Sequence, residues 1–194
     1  VKAATYFWVG SEVEIDGVRP SFWKPYQQDK DYAERVEEVL GWLALPEKER
    51  PRLITLYFSA VDSAAHDFGV GSAQERDAVA KVDQHIGDLL HGLNKLGLEP
   101  QTNIVVVADH GMVNLSDQRV INIDPWLDLS AFIIPDWSDE RSSVHAPFLN
   151  LYATPVSVDA AHIKLHKAHP NMRVLRRGNF PANYHFDHPQ RGPD

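Results

Sequence analysis

The alternation of apolar and polar positions divides much of the chain into strands and helices. In DYAERVEEVLGWLAL (31–45), Ala33, Val36, Val39, Leu40, Leu43 and Leu45 recur near helical spacing between charged residues. That pattern predicts an amphipathic helix, closed by PEKERP. RLITLYFSAV (52–61) is a continuous apolar run with β-branched and aromatic members, which predicts a buried strand. AQERDAVAKVDQHIGDLLHGLNKLG (73–97) sets Val79, Val82, Ile86, Leu89, Leu90 and Leu93 on one helical face, and Gly97 stands where a C-cap belongs. TNIVVVA (102–108) reads as a second buried strand. Strand, long helix, strand is a βαβ unit, and such a crossover implies a parallel sheet. Further on, FLNLYAT (148–154) predicts a strand, DAAHIKLHKAHP (159–170) a helix and MRVLRR (172–177) another strand. The close, GNFPANYHFDHPQRGPD (178–194), is rich in Pro, Asn, Gly and His and predicts irregular structure. The fold class expected is α/β, a mostly parallel sheet with flanking helices.

Composition narrows the chemistry. With 194 residues the chain can bury a sizeable core. Its net charge of −8 makes a nucleic-acid polymer an unfavourable partner for the surface as a whole, although a bound metal would not show in that sum. The absence of cysteine removes disulfides, thiolate-bound zinc and thiol catalysis, and argues against an animal extracellular enzyme. No apolar run approaches the length of a membrane span, and no signal peptide is present. The first residues, VKAATYFWVG, lack Met, so a trimmed start is expected.

Both predicted strands end in the same chemistry. The run at 53–58 leads into VDSAAHDFG, where Asp62 and His66 stand four apart, so one helical turn puts both on one face. The run at 104–108 leads directly into Asp109 and His110. In an open α/β sheet, ligands bind beyond the carboxyl ends of the strands. Oxygen and nitrogen donors of this kind suit zinc or a similar divalent ion. Gly111 would let the backbone turn sharply beside it. Taken singly, an Asp after a strand is more often a cap or turn residue. The metal reading rests on two equivalent pairs.

These stretches carry a resemblance. LYFSAVDSAAHDFG and VVVADHGM resemble the two metal-binding stretches of the type I phosphodiesterase/nucleotide pyrophosphatase family, within the alkaline phosphatase superfamily. YFWVGSEVEIDGVRPSFWKPY resembles a third stretch of that family, and FPANYHFDHPQR resembles a fourth more loosely. Ala65 departs from it, standing where the family often has Gly before the His.

The resemblance implies an alkaline-phosphatase-like fold, present incompletely. Residues 1–194 would be part of one phosphodiesterase catalytic domain, with its flanking parts absent. It implies two zinc or similar divalent ions in the complete enzyme, Asp62 and His66 on one, Asp109 and His110 on the other. It implies cleavage of phosphodiester or pyrophosphate bonds of nucleotides through a Thr or Ser nucleophile and a covalent phospho-enzyme. Tyr57 and Tyr26 match positions that hold the base in nucleotide-cleaving members, and Trp8 lies in a stretch lining the same region. Core packing is the commoner role for each of these rings. The family's nucleophile, the Asp before it and the last metal-binding His lie on segments outside this chain, and His185 and His188 sit in the wrong context to replace that His. The chain alone is therefore expected to be inactive. The partner implied is a small nucleotide or phosphodiester, and the location implied is periplasmic or secreted in a bacterium. Two other classes stay open: a relative acting on phosphomonoesters, phosphonates or phospholipid head groups, and a folded fragment without catalysis.

Overall fold

The helix expected over 31–45 begins where its cap dictates. The Asp31 carboxylate accepts from the amides of Ala33 (2.8 Å) and Glu34 (3.3 Å), opening α1, Tyr32–Leu43. The computed structural model to which α1 belongs describes residues 1–8, 10–11, 13–134 and 148–185. The described chain forms two compact units, 1–114 and 115–194.

The first unit is built on a parallel sheet of β1 (Ala3–Tyr6), β2 (Phe22–Lys24) and β3 (Leu53–Leu56), in the order β2-β1-β3. Tyr6 pairs with Lys24 on one side and with Leu56 on the other, so the three carboxyl ends lie level. β3 covers only 53–56 of the strand predicted at 52–61: residues 57–59 belong to neither strand nor helix, and α2 (Ala60–Phe68) begins at its last two positions. Nor is it the buried strand expected, since Leu53 is exposed and Ile54, Thr55 and Leu56 are half-buried at the edge of the described sheet. The long helix is α3 (Ala73–Lys95), capped by the Ser72 hydroxyl. Gly97 comes after it with φ +67°, the left-handed conformation that a helix-ending glycine supplies.

The core joins Ala4, Tyr6 and Phe7 of the β1 end to Val39, Trp42 and Leu43 of α1 and to Leu93 and Leu98. Burial and the Glu38 carboxylate, through its charge and a hydrogen bond, push the Tyr6 phenol up to about 12, while the nearby Arg35 works against that rise. α1 and α3 approach closely at Gly92, where a Cβ would lie 2.3 Å from Leu40 Cδ1. The expected apolar face of α3 is only partly covered: Leu93 is buried, whereas Val79 and Leu90 are exposed.

The predicted strand at 102–108 is not one. Val105, Val106 and Val107 are 80%, 72% and 64% exposed, and residues 103–113 make no backbone–backbone hydrogen bond with other described residues. An apolar run states what a segment could bury. A strand also needs a neighbour on its hydrogen-bonding edge, and the described sheet ends at β3. The βαβ unit therefore becomes β3, two helices and an extended segment. The sheet is parallel through β1, which the periodicity did not predict.

The second unit centres on α4 (Pro155–Leu165), whose Ala161 and Leu165 pack with Leu127. α4 starts four residues earlier than expected, because Pro155 can occupy a first helical turn and Thr154 precedes it as cap, and it ends five residues earlier, at Leu165. The strands expected at 148–154 and 172–177 are absent as strands. One isolated bridge joins Ile133 to Tyr152, and Met172 and Val174 are partly buried against the α4 cluster instead. The irregular close is observed as far as His185, while His188 lies outside the described residues. No described helix is long and apolar enough to cross a membrane.

Candidate metal and nucleotide site

α2 sets the first pair of side chains. Asp62 falls in its first turn and His66 in its last, and Asp62 Oδ1 lies 3.6 Å from His66 Nε2. The buried Ala65 sits on the opposite side of the turn from solvent, so the residue that departs from the family pattern is held in packing. Gly69 ends the helix at φ +86°, and its amide donates to Ala65 O at 2.9 Å.

The second pair is delivered by the extended segment. Asn114 anchors it: the Val70 amide donates to Asn114 Oδ1 at 3.0 Å, and Asn114 Nδ2 donates to Val70 O at 3.4 Å. This clamp draws 109–114 back to the end of α2. His110 Nε2 then lies 3.6 Å from Asp109 Oδ2 and 3.9 Å from Asp62 Oδ1. His110 Nδ1 is 3.0 Å from Gly111 O, so that nitrogen carries a proton and Nε2 of the neutral ring presents its lone pair. This hydrogen bond, followed by the Asp109 and Asp62 charges, raises the His110 pKa above its ordinary value. All four side chains are well exposed.

The donor set fits divalent-metal chemistry. Tetrahedral bonds of about 2.0–2.2 Å hold neighbouring donors roughly 3.3–3.6 Å apart. The Asp62–His66 and Asp109–His110 separations, both 3.6 Å, are near that spacing. Each pair offers two donors, and among the described residues no set of three or more His, Asp and Glu is placed to hold one ion.

Rings gather beside these donors. Tyr57 directly succeeds β3, and its amide donates to Tyr6 O at 3.1 Å. Its ring centroid lies 6.4 Å from that of Tyr26, whose ring makes a T-shaped contact with Phe7, centroids 5.3 Å apart. Burial raises the Tyr57 pKa, and the charges of Tyr26, Asp109 and Asp62 add to the shift. Tyr26 Oη donates to the Gln28 side chain, and Gln28 Nε2 donates to Ser63 Oγ at 3.4 Å, one residue from Asp62. Trp8 is half exposed, its amide held by Ser11 Oγ at 3.2 Å, and no described ring contact joins it to Tyr26 or Tyr57.

Sequence reasoning passes over Gln28, Asn114 and Arg35. The first two carry no periodic signal. Arg35 does: it precedes Val39 by four and Leu43 by eight, on the stripe of α1 that is buried.

A family model described as type I phosphodiesterase / nucleotide pyrophosphatase matches residues 1–194. Over 127 residues, 66% of the chain, the sequence is 42% identical to ectonucleotide pyrophosphatase/phosphodiesterase family member 1 of Mus musculus, covering 14% of that protein. Over 186 residues, 96% of the chain, it is 42% identical to venom phosphodiesterase of Naja atra, covering 22% of that protein. The fold is similar to murine ectonucleotide pyrophosphatase/phosphodiesterase 5, solved as an inactive form in complex with AMP, with a TM-score of 0.85 and 28% identity over 99% of the chain. The chain spans 49% of that solved structure.

Proposed function

The chain belongs to the type I phosphodiesterase / nucleotide pyrophosphatase family, and on that premise we propose that it forms the metal-ligand and base-binding part of an enzyme hydrolysing phosphodiester or pyrophosphate bonds of nucleotides. The observation that carries the reading is the approach of His110 Nε2 to 3.9 Å from Asp62 Oδ1, which joins two Asp–His pairs from separate segments. Asp62 and His66 would hold one zinc or similar ion, and Asp109 and His110 the other. When bound, such ions stabilise negative charge on phosphoryl oxygens and on an attacking oxygen. The Gly111 carbonyl keeps His110 in the tautomer that leaves Nε2 free to bind. Tyr57 and Tyr26 would receive the base, with Trp8 near the rim. The Thr or Ser nucleophile belongs to a part of the catalytic domain outside these 194 residues. The AMP complex of the murine relative supports a nucleotide as the substrate class. From the resemblance alone we further propose a periplasmic or secreted location in a bacterium, and a leader ahead of this domain in the complete polypeptide is the test of that location.

Kinetics on two substrates test the function. The 194-residue chain should hydrolyse a nitrophenyl ester of a nucleotide at a rate near background, and the complete polypeptide should turn it over. In the complete enzyme, Tyr57→Ala should raise KM for nucleotide esters by roughly ten-fold, within the range that stacking on a base contributes. Its effect on bis-nitrophenyl phosphate should be small. Equal loss on both substrates would assign Tyr57 to the fold or the metals. No loss on either would favour a phosphomonoester, phosphonate or phospholipid head group. An inactive complete polypeptide would leave a folded, non-catalytic domain.

A further inference from the structure

Arg35 is fully buried, at 0% exposure, and none of the described ion pairs gives it a carboxylate. Its guanidinium is satisfied by main chain. Nε and Nη2 donate to Lys30 O at 3.1 and 2.9 Å, and Nη1 donates to Tyr57 O at 2.8 Å. Nη2 also reaches Gln27 O and Gln28 O at 3.5 and 3.4 Å. The plane lies between two rings, 4.7 Å from the Phe7 centroid and 4.5 Å from that of Tyr32.

A buried charge is a poor way to stabilise a core, and an apolar residue on the same stripe as Val39 would serve packing at least as well. What a guanidinium adds is a rigid fork of donors and a flat face for rings. Here the fork holds three pieces of chain at once. One is the carbonyl of Tyr57, just past β3. The second is the 27–30 loop that begins beside Tyr26. The third is Phe7, which packs edge-on against Tyr26 and is held at φ +57°, a conformation a non-glycine residue keeps only where its surroundings enforce it.

We propose that Arg35 is the positioning residue of the nucleotide slot: by locking the Tyr57 carbonyl, the 27–30 loop and the Phe7 ring to one point, it fixes the spacing at which Tyr26 and Tyr57 meet a nucleobase. This rests on the reading of Tyr26 and Tyr57 as base-binding. Arg35 touches no substrate and acts only through these neighbours.

The test uses the complete enzyme with Arg35→Lys and Arg35→Gln. Lys keeps the charge but offers a single point of donation and no plane between the rings. For the nitrophenyl nucleotide ester, Arg35→Gln should raise KM roughly five-fold or more, the lower end of what base stacking contributes. Arg35→Lys should fall between it and the parent. The Kd for AMP, measured by calorimetry, should rise in parallel, and kcat for bis-nitrophenyl phosphate should stay within about two-fold of the parent. Parental KM and AMP affinity in both variants would overturn the proposal, as would equal losses on both substrates. Failure of both variants to fold would assign Arg35 to the fold alone and overturn it too. Tyr57→Ala measured alongside separates the two readings. If it does not discriminate between the substrates, the base slot itself is wrong. If it does and the Arg35 variants do not, only the role of Arg35 fails.

Discussion

Residues 53–68 and 104–114 share one sequence pattern, an apolar run leading into an Asp and a His, and the structure realises them in opposite ways. The first is a strand paired along β1 and continued by a helix, so the separation of Asp62 from His66 comes from helical geometry. The second is extended chain with exposed valines, and Asp109 and His110 are placed by a contact further along the chain, the Asn114 clamp on Val70. A pair of candidate donors can thus be fixed by the element that carries it or by an anchor beyond it. The pairs differ in what each needs to survive mutation.

The largest expected effect tests whether they are equal in chemistry. In the complete enzyme, Asp62→Ala and Asp109→Ala should each lower turnover by about a thousand-fold or more, since the charge stabilisation at stake is several kcal/mol. In the 194-residue chain they should differ. Asp62 Oδ1 faces both His66 and His110, at 3.6 and 3.9 Å. Asp62→Ala should therefore weaken zinc binding, measured by titration calorimetry, more than Asp109→Ala does. The reverse order would show that the extended segment holds the metal and the helix only supports it.

The next effect concerns stability. Leu93→Ala removes a side chain of α3 that is 1% exposed and clusters with residues of α1 and the sheet, and should destabilise the chain by about 2–5 kcal/mol. Val106→Ala, at a position 72% exposed, should change stability by less than about 0.5 kcal/mol. Urea unfolding of the 194-residue chain measures both. Hydrogen exchange adds a local check: the β1 and β3 amides should be protected and those of 103–108 should not. Similar costs for the two substitutions would mean that the valines are covered in solution.

The same contrast explains how much of the molecule is legible in its sequence. α1 and α3 are readable because a repeat of three to four residues marks one face whatever lies opposite. α2 is readable as a turn, from the spacing of Asp62 and His66. β1 is not: AATY is short and half Ala, and its buried positions, Ala4 and Tyr6, show only in the pairing with β2 and β3. The run at 104–108 misleads in the other direction, because its composition fits a two-sided buried strand and says nothing of a neighbour. The four candidate donors are readable from type and position, and Tyr57 and Tyr26 from family resemblance. Arg35 is hidden by its charge, since the apolar pattern counts only apolar residues. The Asn114 clamp spans 44 residues of sequence and leaves no local trace.

That clamp gives the smallest and most specific prediction. Asn114→Ala deletes the acceptor of the Val70 amide and the donor to its carbonyl. Both bonds are exposed, so stability should fall by only about 0.5–1.5 kcal/mol. The clamp also determines where Asp109 and His110 stand, whereas Asp62 and His66 keep their helix. Supporting residues of this kind typically change metal affinity by about 10- to 100-fold. The loss should appear in the zinc affinity of the complete enzyme, near the lower end of that range, with little change in unfolding. Gly69 sharpens the point: at φ +86°, with its missing Cβ 3.3 Å from Asn114 Oδ1, Gly69→Ala strains the backbone as well as crowding the clamp. Gly69→Ala should therefore lower stability and zinc affinity together, while Asn114→Ala separates them. If Asn114→Ala leaves zinc affinity at the parental value, the extended segment is positioned by something other than its anchor, and the contrast between a pair held by its own helix and a pair held from beyond it no longer stands.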